Sequence, residues 1–227
     1  MNPYWISRRA VIGAAVAGAA SLRFADGVVA QTKSEALSGL PDRGGVGPWD
    51  YWRSNEGTGL VRIASAAILA ASPYDTQPWR FRLRADRIEV VADTARNLAG
   101  LDPYRREFYM GLGCAIENAC VAAPSQGLDG KVTLLPNGSG LDLAAILTFE
   151  PTASAPHPHH EAIALRHTHR GPYQRDRQVE EAVQSALMGQ ATASDVKLLL
   201  IGAQSKEGKS FSELMVEATQ RILDVAP

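Results

Sequence analysis

Cysteine is scarce: the 227-residue chain carries two, Cys114 and Cys120. On one helix these fall on different faces and cannot meet. A disulfide scaffold is excluded, and both read as free, buried thiols. An excess of charge of one sign is lacking too. The formal net charge is −1, so no global field gathers nucleic acid or an acidic membrane surface. The uncharged apolar run from Ala10 to Leu22 is shorter than the roughly 20 residues a membrane-spanning helix needs. No Walker loop, no Gly-x-Gly-x-x-Gly turn and no serine–histidine–acid pattern occurs. What is present is ordinary globular composition, 45% hydrophobic and 21% charged, enough for one sizeable domain or two small ones.

The N-terminus reads as an address. Ser7-Arg8-Arg9-Ala10-Val11-Ile12 leads into the apolar run, and Val28-Val29-Ala30 offers small residues for a signal peptidase before Gln31. Paired arginines ahead of a mild apolar core predict a twin-arginine signal peptide over residues 1–30. The protein would then be exported to the periplasm or cell envelope, with the twin-arginine translocase as a partner. An ordinary secretory signal or an uncleaved anchor is the other reading. Residues 31–57 are polar and rich in glycine and proline, which predicts an arm with little regular structure. Trp49, Tyr51 and Trp52 would dock it onto the body.

The most informative stretch is Ser72-Pro73-Tyr74-Asp75-Thr76-Gln77-Pro78-Trp79-Arg80-Phe81. Two prolines exclude helix interior, and from Trp79 onward the chain alternates strictly. Trp79, Phe81 and Leu83 point one way and Arg80, Arg82 and Arg84 the other, as in a strand with one apolar face. Before it, Leu60, Ile63, Ala64, Ala67, Ile68 and Ala71 predict a helix capped by Thr58. After it, Ile88–Ala92 completes a hairpin. Asp102-Pro103 predicts a helix start, with a stripe of Phe108, Leu112, Ala115, Ile116, Ala119 and Cys120 running towards Ala123. Gly111, Gly113 and Ala115 keep one side small for a close backbone approach, and Pro124 ends the helix. Strands are expected at Val132–Leu135 and Ala144–Phe149 around an Asn137-Gly138 turn.

Residues 151–160 read as a linker, and its His157, His159 and His160 as solvated rather than metal-ligating. Beyond it come a short helix at Glu161–Leu165, a helix at Arg177–Met188, a strand at Val196–Ile201, and a helix at Ser210–Val225 opened by a Ser210/Glu213 capping box. The class is α+β or α/β. Arg166, Thr168 and Arg170 place two guanidinium groups and a hydroxyl within five residues. A planar guanidinium gives an anion two parallel charge-assisted hydrogen bonds. The turn is thus either a phosphate site or an exposed basic turn.

These two stretches carry a resemblance. Ala71 to Phe81 resembles the flavin-contacting Ser-Pro-x-Asn-x-Gln-Pro-Trp loop of the nitroreductase superfamily, with Asp75 at the position of the asparagine. Arg166-His167-Thr168-His169-Arg170 resembles that superfamily's Arg-x-Ser/Thr-x-Arg turn, which grips the FMN phosphate. Asp93 with Arg96, Asp102-Pro103 with Arg106-Glu107, and Gly111–Ala123 with Glu117-Asn118 resemble the Acg-like branch, which looks like two fused repeats. The resemblance covers about residues 58–200. It implies an α+β nitroreductase-like fold with a mixed, antiparallel-rich sheet flanked by helices. A first repeat would span 58–150, and an incomplete, truncated second repeat 161–227. The cofactor implied is FMN. Arg166, His167, Thr168 and Arg170 would sit at its phosphate, and Ser72, Asp75 and Gln77 near its ring or ribityl chain, with no side chain as catalytic acid or base. The implied activity is an FMN-dependent oxidoreductase that takes electrons from NAD(P)H to a small-molecule substrate, with a homodimer as the oligomeric expectation. The alternatives are a flavin-binding or flavin-sequestering protein with little turnover, and a non-functional fragment.

Overall fold

The computed structural model describes residues 4–6, 47–55, 57–136, 142–153, 155–169, 171–172, 174, 177–190 and 196–225. The chain divides into two compact units, residues 1–168 and 169–227.

The first unit is α+β. Its strands are β1 (Tyr4–Ile6), β2 (Trp79–Leu83), β3 (Arg87–Ala92), β4 (Leu128–Leu134) and β5 (Leu143–Pro151). They form one sheet in the order β1-β2-β3-β5-β4. Each pairing is antiparallel, where a mixed sheet was expected. β1 lies on the edge, opposite Phe81 to Leu83, although residues 1–30 read as signal peptide rather than fold. The Arg8-Arg9 pair and the apolar run after it fall outside the described residues, as does the Asn137-Gly138 turn.

Helices α1 (Pro48–Arg53), α2 (Gly59–Ala67), α3 (Arg106–Ala122) and α4 (Ala162–Leu165) complete the unit. Ile63, Ala64 and Ala67 of α2 and Phe108, Leu112 and Ala115 of α3 share one core with Phe81, Ile88, Val90 and Leu147 of the sheet. Small residues on both helices allow close packing, and the Asn118 amide on α3 donates to the Ala66 carbonyl on α2 at 3.0 Å.

Several local expectations are corrected. Within residues 31–57, of which 47–55 and 57 are described, one short helix forms, α1, with Pro48 at its first helical position. Thr58 occupies the cap position of α2 without a side-chain bond. The Gln126 side chain accepts from the Gly59 N–H instead, at 2.9 Å. α3 begins later than Asp102-Pro103. Asp102 caps from a distance, its carboxylate accepting from the N–H of Arg106 at 2.8 Å and of Phe108 at 2.9 Å, while Arg105 adopts a left-handed conformation. Cys114 is exposed rather than buried, and Cys120 is half-buried. Burial, then the nearby charges of Glu117 and Asp129, push the Cys120 thiol up to about 11.

Arg82 does point away from the apolar face, but it is buried, because Glu89 opposes it across the hairpin. The Glu89 carboxylate takes bonds from Arg82 at 2.9 Å, Arg84 at 3.3 Å and Arg87 at 3.1 Å. Burial alone would raise the Glu89 carboxyl. The hydrogen bond from Arg87, the charge of Arg84 and the bonds from Arg82 and Arg84 outweigh it and hold it below the usual carboxylate range.

The second unit holds α5 (Glu181–Gly189) and α6 (Lys206–Val225). Val196–Ile201 is not a strand, and Val196, Leu199, Leu200 and Ile201 are exposed. A strand's composition does not suffice, and among the described residues no strand pairs with it. α6 starts before Ser210, so the expected capping box lies inside the helix. Ser205 caps it instead, its hydroxyl accepting from the Gly208 N–H at 3.0 Å. Among the described residues no helix is long and apolar enough to cross a membrane.

Candidate functional site

The loop between α2 and β2 is strained and heavily braced. Tyr74, Asp75 and Gln77 have φ of 48°, 56° and 49°. Left-handed backbone costs a non-glycine residue roughly 1–2 kcal/mol, so surrounding contacts must fix it. From within, the Ser72 hydroxyl accepts from the Gln77 N–H at 3.1 Å, and the Pro73 carbonyl accepts from both the N–H and the hydroxyl of Thr76. From outside, Arg96 donates to the Thr76 carbonyl at 3.1 Å. Arg96 is tied to the Asp93 carboxylate, which also faces Arg80, and the Asp93 N–H donates to the Pro78 carbonyl at 2.9 Å.

α3 supplies the floor. A Cβ on Gly111 would lie 3.3 Å from Pro73, 3.5 Å from Pro78 and 3.6 Å from Ser72. The close approach expected of the small residues therefore occurs at Gly111, and its partner is this loop. At Gly113 nothing lies within 4 Å, so that glycine answers no close approach.

The predicted ring-side residues come together here. Asp75 is exposed while Ser72 and Gln77 are half-buried, and the Asp75 carboxylate accepts from the Gln77 amide at 2.9 Å. On the predicted phosphate side, Arg166 is half-buried, and His167 and Thr168 are exposed. Arg170 lies outside the described residues. The Arg166 guanidinium donates to the Leu69 carbonyl at 2.8 Å and reaches the Thr168 hydroxyl at 3.4 Å. Leu69 stands three residues before Ser72, so Arg166 fastens the basic turn to the chain that enters the strained loop. The two stretches are 97 residues apart at this bond.

The linker histidines do other work. His160 packs on Trp52, with ring centroids 5.4 Å apart, and the His157 ring accepts from the His159 N–H at 3.1 Å. Among the described residues no group of three or more His, Cys, Asp or Glu is placed to hold a metal ion. Sequence reasoning did not foresee the braces Arg96 and Asp93 as clamps of the loop. Their spacing directly after a strand was the available signal. Trp49, expected only to dock the arm, stacks on His167 at 5.4 Å and 23° between ring planes.

Arg166 and Thr168 place a guanidinium and a hydroxyl side by side, groups that could hold an anion. Among the described residues Arg166 Nε is buried without a hydrogen-bond partner, and an orphaned buried donor costs about 1–3 kcal/mol. An anion at the turn would relieve that cost. The neighbouring loop offers a hydroxyl, an amide and a carboxylate on a rigid backbone.

Comparison with known proteins finds two relatives with nitroreductase names. Over 75 residues the chain is 32% identical to “Putative NAD(P)H nitroreductase Rv3131” of Mycobacterium tuberculosis H37Rv, covering 33% of this chain and 22% of that protein. Over 165 residues it is 28% identical to “Putative NAD(P)H nitroreductase acg” of the same strain, covering 71% of this chain and 50% of that protein. The chain thus spans at most about half the length of these curated relatives. No protein-family model matches it. The two likenesses support the nitroreductase superfamily as its relation.

Proposed function

We propose that this chain forms the flavin-holding part of an FMN-dependent NAD(P)H oxidoreductase of the nitroreductase type. The observation that carries the reading is the bond from Arg166 to the Leu69 carbonyl, which ties a basic turn to the chain that enters the strained polar loop. Arg166 and Thr168, with Arg170 by sequence, would hold the phosphate, and His167 lies between them. Ser72, Asp75 and Gln77 would face the ring or ribityl chain. A bound flavin supplies the hydride chemistry; the protein binds and orients it. Asp75 fixes the Gln77 amide by accepting from its Nε2. The braces from Arg96 and Gly111 keep these groups in place before a ligand arrives, so little ordering entropy remains to be lost on binding. The names of the relatives support NAD(P)H as donor.

The test is a purified chain mixed with FMN, freed of unbound flavin, and titrated with NAD(P)H under anaerobic conditions. The reading requires a retained yellow chromophore that NAD(P)H bleaches. A chain that folds yet retains no flavin contradicts it. Export by the twin-arginine route belongs to the same proposal and rests on Ser7-Arg8-Arg9 and the apolar run beyond it. Replacing Arg8 and Arg9 together by lysine should block translocation, and unchanged export would point to the general secretory route.

A further inference from the structure

Helix α1 grips the chain that leads into the basic turn at three points. Trp52 packs on the His160 ring and shares an apolar cluster with Ile163 and Leu69. The Arg53 guanidinium reaches the Ala164 carbonyl at 3.5 Å. Trp49 stacks on His167. α1 is itself fixed to α2 by Arg62, a buried residue whose guanidinium lies 3.6 Å from the Trp52 ring centroid and donates to the Trp52 carbonyl at 2.6 Å. Burial lowers the pKa of Arg62, but a guanidinium stays charged throughout the working range. Its place at the last turn of α1 also suits the negative end of the helix dipole.

Of these three grips, the Trp49 stack alone falls inside the turn. His167 sits between Arg166 and Thr168, the two side chains assigned to the anion. A stack on the intervening ring fixes that backbone without using either anion-facing group. We propose that Trp49 is a positioning residue for the Arg166–Thr168 turn: by stacking on His167 it sets the affinity for the phosphate end of the ligand and leaves the rest of the site untouched. This rests on the phosphate reading of the turn. Aromatic pairs contribute enough for an effect of about threefold to tenfold in affinity.

The test uses the full chain and compares FMN with riboflavin, which lacks the phosphate. Because His167 is exposed, His167→Leu removes the stack without opening the core. Trp49→Leu removes it from the other side, and His167→Phe restores a ring without ring nitrogens. Proton NMR of the His167 ring reports the stack directly, since the indole shifts its resonances upfield. The expected result is loss of that shift in Trp49→Leu. FMN affinity should fall about threefold to tenfold in both leucine variants while riboflavin affinity holds within about twofold. His167→Phe should recover the wild-type preference for FMN. An unchanged FMN-to-riboflavin ratio in His167→Leu, with the wild-type preference present, overturns this proposal alone. So does failure of His167→Phe to recover the preference, which would make His167 a direct ligand contact. A wild-type chain that binds riboflavin as well as FMN overturns the phosphate reading and this proposal with it.

Discussion

Gly111 and Gly113 lie on the same helix, and their environments predict opposite outcomes for the same substitution. Glycine inside a helix costs about 1 kcal/mol relative to alanine. At Gly113 a new Cβ meets nothing within 4 Å, so Gly113→Ala should stabilise the protein by nearly that full amount. At Gly111 the Cβ would sit 3.3 Å from Pro73 Cδ, with Pro78 and Ser72 close behind. Pro73 is a ring in a braced loop and cannot swing aside as a long side chain would. The gain in helix propensity is then largely offset, and Gly111→Ala should fall within about 0.5 kcal/mol of wild type. Gly111→Leu cannot be accommodated without moving the loop, and should destabilise by about 1–3 kcal/mol. Urea denaturation of the three variants gives these values from the midpoints. Gly111→Ala as stabilising as Gly113→Ala would refute the packing of the loop on α3. It would also remove one of the supports of the strained residues Tyr74, Asp75 and Gln77, leaving the hydrogen bonds made by Ser72, Pro73 and Arg96.

The charge cluster and the thiols predict further outcomes. Glu89 has its folded pKa lowered, so it contributes stability above the ordinary carboxylate pKa of about 4.3 and loses it as pH falls through the folded value. Wild-type urea midpoints should therefore fall more steeply below about pH 4 than those of Glu89→Gln, and parallel pH profiles would contradict this. Cys114 is exposed while the Cys120 thiol is pushed up to about 11. Iodoacetamide in mildly alkaline buffer should alkylate Cys114 first, and mass spectrometry showing equal labelling would sink the assignment.

Local sequence disclosed much of the fold because period and punctuation agree there. The alternation from Trp79 to Leu83 and the stripe from Phe108 to Ala119 report structure held by near neighbours, and both elements form where expected. Boundaries were less legible. Asp102 reaches forward to cap α3 through a left-handed Arg105, a geometry that a cap-plus-proline pattern does not encode. Val196–Ile201 has a strand's composition, but pairing depends on a partner elsewhere in the chain. The same division holds at the site. The motif residues from Ser72 to Gln77 and from Arg166 to Thr168 stand out in sequence. What joins them is a bond to the main-chain carbonyl of Leu69, and any residue type offers a carbonyl. Trp49 read only as a docking aromatic because its partner His167 is more than a hundred residues away.

If the turn at Arg166 holds the phosphate of a flavin, Arg166→Ala must lose affinity for FMN and keep most of its affinity for riboflavin. A charge-assisted contact of roughly 1.5–3 kcal/mol predicts a tenfold to hundredfold loss for FMN. The loss for riboflavin should be much smaller. The substitution also removes the tether to the Leu69 carbonyl, and any loosening from that source lowers both affinities together. His157→Ala, in the preceding chain, should leave both unchanged. The expected result is a loss confined to FMN; equal losses for FMN and riboflavin, with the circular dichroism spectrum of the wild type, would mean that the turn holds no phosphate.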